Sequence, residues 1–386
     1  MFRDNSKLKN IFLAGFLLSL HLALTAYVNS SFLSLFMSEK KVGWLYTLGS
    51  LVSIIALLLI PEILRKVGGY KFLLWSVGLN ATSLLLLSLF ESVSVIIPVF
   101  IFYLTLNNII IFLLDELLEI FSKNYSIGQV RGLYLAVISG AWVMAQSISG
   151  TILSNFPFSV LYFTSFAMMS VFFIIVLFFL KNLPDPRYDR APIHQSLKKF
   201  FKNKNLVRAY KMNFLLQFFY ALMVIYTPIY LNAHLGFSWG EIGTIFTIML
   251  IPFVIVPFPL GRYSDKIGER KMLMFGFILA SLATLFLFFI KQHEVWIWAL
   301  ALFITRVGAS TVESMSDIYF FKHITKEEDE FVGIYRNTAP IAYILAPIVA
   351  FIIFALASSF NFIFLVLGTL LLYGVYLAGT IKENDV

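Results

Sequence analysis

From Ile11 to Phe36 the chain has no acidic residue, no lysine and no arginine, and His21 is its only titratable group besides Tyr27. About 20 apolar residues cross the hydrocarbon core of a bilayer at 1.5 Å rise per residue, so a run of this length reads as a membrane span. It is too long for the apolar core of a signal peptide and is expected to stay as the first span. The pattern recurs near residues 42–62, 71–90, 93–118, 130–155 and 158–181. It returns near 207–233, 239–260, 271–290, 295–319, 330–356 and 359–381. Backbone polar groups in lipid must be satisfied within their own segment, which makes such runs helices. The expected fold class is an all-α membrane protein of about 12 transmembrane helices.

Composition agrees: a chain that is 60% hydrophobic with a mean hydropathy of +0.87 cannot cover itself with a water-soluble surface. The net charge of +8 would suit a polyanion binder if it formed a patch, but the lysines and arginines sit in loops on one side of the predicted topology. Arg3, Lys7, Arg65, Lys66, Arg131, Arg262, Lys322 and Arg336 share that side, and Lys40, Lys41 and Lys291 lie opposite. The asymmetry predicts a multi-pass protein of the cell membrane with both termini cytoplasmic and no nucleic-acid partner. The chain lacks cysteine, and it lacks a phosphate-binding GxxxxGK[ST] loop, an HExxH helix and a GxSxG elbow. Neither a cofactor, a metal nor a catalytic residue is expected, and the chain does not read as an enzyme.

One long polar interval, Asn182 to Arg208, divides the spans into two sets. The predicted domains are 1–181, a cytoplasmic linker 182–206, and 207–386. The tail of the linker, His194 to Lys204, reads either as a basic amphipathic helix on anionic lipid or as a solvated connector. The two sets are copies. A shift of 200 pairs Lys66, Gly68 and Lys71 with Lys266, Gly268 and Lys271, although Pro61 and Arg65 stand where the second copy has Gly261 and Asp265. A shift of 198 pairs Asp115 and Glu119 with Glu313 and Asp317. A shift of 201 pairs Gly132-Leu133-Tyr134 with Gly333-Ile334-Tyr335. Two pseudo-symmetric six-helix bundles follow.

Polar side chains fall in every third span. The first carries His21 and Asn29, the fourth Asn107, Asn108, Asp115 and Glu119, the seventh Asn213 and Gln217, and the tenth Arg306, Glu313 and Asp317. Spans six, nine and twelve have essentially none, and span three has Asn80. Such groups are costly in hydrocarbon, so the four polar spans are expected to share a wet interior. Arg306, midway along its span, would cost at least about 2.5 to 3.5 kcal/mol if unanswered. Glu313 lies on the same face but about 10 Å along the helix, too far for easy pairing. Arg306 is therefore expected to meet either an anionic solute or a carboxylate from another span, with Asn108 as its repeat partner. His21 reads either as a carrier of the coupling proton or as a hydrogen-bonded packing residue. Prolines at 228, 252, 257, 259, 340 and 347 are expected to kink spans seven, eight and eleven.

The loop between spans eight and nine, GRYSDKIGERK, places Gly261, Asp265, Lys266, Gly268, Arg270 and Lys271 at the spacing of a cytoplasmic loop signature. In this it resembles the major facilitator superfamily of secondary transporters. The resemblance implies two bundles related by an axis along the membrane normal, with spans one, four, seven and ten around a central cavity and alternating access as the mechanism. It implies an inner gate in which Glu119 and Asp317 meet arginines such as Arg131 and Arg336, with Asp265 docking beside Arg131; the same charges also read as solvated surface pairs. The substrate-binding candidates are Arg306, Asn108, Asn107, Gln217, Asn29, Tyr27 and Tyr220, and the proton-coupling candidates are His21, Asp115 and Glu313. The expected function is secondary active transport of a small polar or amphiphilic, potentially anionic solute, coupled to protons, by a monomer whose other partner is membrane lipid. The alternatives are an uncoupled facilitator of the same solute class and a membrane-embedded enzyme acting on lipid-linked substrates.

Overall fold

Long apolar runs satisfy their own backbone as helices, and the computed structural model, which describes residues 6–122, 127–181, 193–257, 260, 267–324 and 330–381, shows them so. Unit 1 comprises α1 (Ser6–Ala26), α2 (Asn29–Ser34), α3 (Glu39–Val67), α4 (Gly69–Leu89), α5 (Val93–Ser122), α6 (Ile127–Asn155) and α7 (Phe158–Phe179). Unit 2 comprises α8 (Ile193–Lys202), α9 (Lys204–Ile229), α10 (Trp239–Leu250), α11 (Pro252–Ile255), α12 (Glu269–Leu287), α13 (Val295–Lys322), α14 (Glu330–Arg336), α15 (Thr338–Leu356) and α16 (Phe362–Gly379). Among the described residues, 11 segments are long and apolar enough to cross a membrane.

The predicted eighth span is the exception. Among the described residues it contributes an apolar segment, Trp239–Ile255, divided between α10 and α11. Its start is well specified: Ser238 and Glu241 form a reciprocal capping box. Its break falls at Pro252, which has no N–H to donate and whose ring crowds the preceding turn. Proline also marks spans seven and eleven. Pro228 lies in the last turn of α9, which continues as a π-helical turn, Tyr230–His234, with Leu235 N–H donating to the Tyr230 carbonyl at 3.0 Å. Pro340 follows the interruption at Asn337 that separates α14 from α15, since its ring excludes the carbonyl of Arg336 from a regular helix.

Each unit has the same internal packing. In unit 1, α1 packs on α5, α6 and α7, α4 packs on α5 and α7, and α3 packs on α5. In unit 2, α9 packs on α13, α15 and α16, α12 packs on α13 and α16, and α10 packs on α13. Substituting α9, α10, α12, α13, α15 and α16 for α1, α3, α4, α5, α6 and α7 turns the first set into the second. Small residues make the tightest seam. A Cβ on Gly308 would lie 2.5 Å from the Ala280 nitrogen and 2.6 Å from the Gly276 carbonyl oxygen, so α12 and α13 cross with backbones nearly in contact.

The repeat persists in the backbone where the side chains have diverged. Gly68 precedes α4 at φ 85°, ψ 150°, and Gly268 precedes α12 at φ 83°, ψ 147°. This region is essentially closed to residues with a Cβ. The shift of 200 read from the sequence thus joins two residues in one unusual conformation.

Candidate functional site

In unit 2, α9 and α13 run side by side in opposite directions. Arg208 near the start of α9 donates to the Tyr319 hydroxyl near the end of α13 at 2.9 Å, and Tyr230 just past α9 meets Trp298 near the start of α13 with ring centroids 5.8 Å apart. Residues spaced by three and four share a helix face, so α9 aligns Asn213, Gln217 and Tyr220, and α13 aligns Arg306, Ser310, Glu313 and Asp317. The two rows meet at Tyr220. Its hydroxyl donates to Glu313 Oε2 at 3.1 Å, and its ring centroid lies 5.9 Å from the Arg306 guanidinium carbon. Phe219 lies nearer, at 4.8 Å, and Phe253 packs edge-on against Tyr220.

Arg306 is 1% exposed, and among the described residues its Nε and Nη1 have no hydrogen-bond partner. Aromatic faces attract a guanidinium, by about 2 kcal/mol or more when desolvated, but they accept no N–H hydrogen bond of ordinary strength. One turn along, Ser310 is also 1% exposed, and among the described residues its hydroxyl has no partner. Arg306 and Ser310 together present two donors and a hydroxyl with unused hydrogen-bonding capacity, which is what a carboxylate or another small oxyanion needs. Glu313, half-buried, is about 10 Å along the helix from Arg306 at 1.5 Å per residue and is engaged by Tyr220. Gln217 is half-buried between Asn213 and Tyr220 on α9.

Nearer the end of α13, Asp317 Oδ1 accepts from the Tyr335 hydroxyl at 3.0 Å, and its Oδ2 is 4.0 Å from Arg336 Nη2. Tyr335 stacks on Phe320 with centroids 4.1 Å apart, and its carbonyl, with the Thr338 hydroxyl, accepts from Asn213 Nδ2. The structure therefore brings Asp317 and Arg336 together at the outer edge of a hydrogen-bonded cluster, with Arg336 more than half exposed.

Unit 1 uses its polar residues differently. His21 is fully buried; its Nδ1 is 3.2 Å from the Ser165 hydroxyl, which donates to the His21 carbonyl, and its Nε2 has no hydrogen-bond partner among the described residues. Asn29 accepts from the Tyr162 hydroxyl at 2.7 Å, Asn107 accepts from Asn80 Nδ2 at 2.7 Å, and Tyr27 packs edge-on against Trp142. Asn108 is half-buried and donates to the Leu104 carbonyl one turn back, whereas Asp115 is exposed on α5. Asn29, Asn107 and His21 thus form inter-helix links within unit 1.

Gly261, Asp265 and Lys266 lie outside the described residues, as do the side chains of Glu119 and Arg131, which stand on α5 and α6. Arg270 and Lys271 occupy the first turn of α12 behind Gly268. Three residues of this region escaped the sequence reading. Phe219 carries no distinguishing signal in a chain with 42 phenylalanines. Ser310 could have been found from its spacing of four from Arg306. Glu269, at the first position of α12, is 1% exposed and forms an ion pair with Lys322 at the end of α13; its surroundings of basic residues concealed it in the loop.

Residues 212–383 match the sequence model of the Major Facilitator Superfamily. A point variant of the nucleoside transporter NupG superimposes with a TM-score of 0.77 at 11% identity, over 97% of this chain and 99% of that one. NupG itself gives 0.71 at 14% identity, over 97% and 98%. The human organic anion transporter MFSD10 (TETRAN) gives 0.68 at 14% identity, over 97% and 100%. No curated protein matches the sequence.

Proposed function

We propose that this chain is a member of the Major Facilitator Superfamily, a reading supported by the sequence match of residues 212–383 and the likeness in fold over 97% of its length, and that it is a proton-coupled transporter of a small organic anion. The observation that carries the reading is Arg306, a guanidinium buried between α9 and α13 whose Nε and Nη1 have no hydrogen-bond partner among the described residues. A buried charge without a hydrogen-bonding partner is expensive, and an oxyanion delivered by the solute removes that expense.

In this reading Arg306 and Ser310 hold the anionic group while Phe219 and Tyr220 flank the guanidinium. Glu313 is the proton-exchanging carboxyl, and Tyr220 connects the two by donating to Glu313 when the anion is absent. Bundles that move alternately expose this site to either side, and the Asp317–Arg336 contact forms and breaks with the cycle. The relatives in fold transport nucleosides and organic anions; the guanidinium favours the second solute class.

Proteoliposome uptake of radiolabelled p-aminohippurate and uridine tests this. Hippurate uptake that is driven by an inward proton gradient and lost in Arg306→Ala supports it. Uridine uptake that survives in Arg306→Ala overturns the anion assignment. Hippurate flux unchanged on collapse of the pH gradient replaces coupled transport with facilitated diffusion.

A further inference from the structure

The short helix α8 ends at Lys202, and only Asn203 separates it from α9, itself long and apolar enough to cross a membrane. Asn203 caps α9, its side chain accepting from the Asn205 and Leu206 amides, so the two helices meet at a fixed junction. That junction keeps α8 beside the polar first turns of α9, where Lys204, Arg208 and Lys211 precede its apolar length.

The sequence of α8 divides its circumference into three sectors. Ser196 and Phe200 are buried against the bundle, and Phe200 sits among Tyr210, Phe320 and Phe331 with centroid distances of 5.9, 6.5 and 5.5 Å. At about 100° per residue, Leu197 and Phe201 lie one step round from that buried line. Both are exposed, at 37% and 50%. Lys198, Lys199 and Lys202 fill the remaining arc, joined by Lys204 at the start of α9, and all four are exposed. One sector is thus anchored to the protein, the next is apolar and half-exposed, with Phe201 resting edge-on against Tyr210 at 5.6 Å, and the third is basic. A fully solvated connector has no need of a half-exposed leucine–phenylalanine line beside its buried one, and a helix packed only on the protein would bury both.

We propose that α8 is a binding site for anionic phospholipid in the membrane that holds α9. Leu197 and Phe201 enter the boundary between headgroups and acyl chains, and Lys198, Lys199, Lys202 and Lys204 lie against the phosphates. Each lysine close to an anionic surface strengthens attachment about fivefold, and the effect fades within a Debye length of roughly 8 Å at physiological salt. The anchored Phe200 sets which faces are presented, so the helix docks in one orientation. This site stands whether or not the transport reading does.

Amide hydrogen exchange over Ile193–Lys202 in full-length protein tests it, in nanodiscs of phosphatidylcholine alone and of a phosphatidylcholine–phosphatidylglycerol mixture. Exchange is expected to slow by about tenfold or more in the anionic discs, and high salt should erase the difference. The Lys198→Gln/Lys199→Gln/Lys202→Gln variant should lose that difference. Because those side chains are exposed, the variant should melt normally in phosphatidylcholine. Leu197→Ser/Phe201→Ser should lose it as well. Equal exchange in both kinds of disc overturns the proposal. Protection that persists in the triple glutamine variant does the same, as does protection reproduced by inorganic phosphate added to phosphatidylcholine discs.

Discussion

Tyr220 donates its hydroxyl to Glu313 at 3.1 Å across the α9–α13 seam, and the same ring lies 5.9 Å from the guanidinium of Arg306. One side chain therefore touches both charged residues of the seam, which are themselves too far apart along α13 to pair. Replacing Tyr220 with phenylalanine keeps the ring and removes the hydroxyl. In Tyr220→Phe, p-aminohippurate affinity is expected to stay within about threefold of the parent, the loss of one neutral hydrogen bond being a modest term. Proton-driven accumulation should fall by about tenfold or more, since the link between anion and proton is cut. Equilibrium binding and concentrative uptake, measured on the same preparation, separate the two effects; parallel loss of both would remove Tyr220 from the coupling role.

Arg306 itself should divide binding from folding. Arg306→Ala is expected to weaken p-aminohippurate binding by roughly 10- to 100-fold, the range for losing a charged hydrogen-bonding partner. Arg306→Lys should recover only part, because an ammonium cannot reproduce the planar fork. Thermal unfolding in detergent should show little destabilisation for Arg306→Met, whose apolar chain fits between Phe219 and Tyr220 without an unpaired buried charge. Strong destabilisation by Arg306→Met would instead make the guanidinium a structural element of the bundle.

Glu269 and Lys322 form an unequal pair. The carboxylate is almost completely buried, whereas the lysine side chain is 45% exposed. Lys322→Met leaves an uncompensated buried charge and is expected to cost about 3 kcal/mol or more, while Glu269→Gln leaves a cation that can reach water and should cost nearer 1 kcal/mol. The double variant should be more stable than Lys322→Met alone. Melting curves of the three proteins check the order, and equal losses for the two single variants would contradict it.

Gly68 and Gly268 are expected to behave alike. At φ near +85° an added Cβ costs about 1 to 3 kcal/mol, so Gly68→Ala and Gly268→Ala should each lower the melting temperature by several degrees. Gly140→Ala is the control, since a Cβ there meets nothing within 4 Å and an alanine suits a helix interior better than glycine. A neutral result at either of the first two positions would show that its turn relaxes without the glycine.

How far the sequence foretells this structure depends on whether a feature is local. Hydrophobic length is local, and the helices fall where the apolar runs are; within Trp239–Ile255 the run divides at Pro252 into α10 and α11. Proline effects are local too, and α10 ends at Pro252 while a π-helical turn follows Pro228, yet α15 runs unbroken through Pro347, whose neighbours hold the helix in spite of the lost bond. The cost of a mid-span arginine is likewise visible in one dimension. Its surroundings are not: Phe219 and Tyr220 come from a helix more than 80 positions away, and nothing along the chain marks one phenylalanine among 42. The same holds for Asn29 and Asn107, whose polarity is legible but whose partners, Tyr162 and Asn80, stand on other helices. A polar residue in a span announces that it needs a partner without saying whether the partner is protein or solute.

The junction at Asn337 has a mechanical consequence. The Asn337 amide donates to both the Gly333 and Ile334 carbonyls at 3.2 Å, and its own carbonyl accepts from Ile341 at 3.3 Å, so helical bonding runs from α14 into α15 without a gap. Two rods joined by such bonds turn as one lever. Any displacement of the buried length of α15 is then handed on to Arg336, and its contact with Asp317 registers that displacement at the far end.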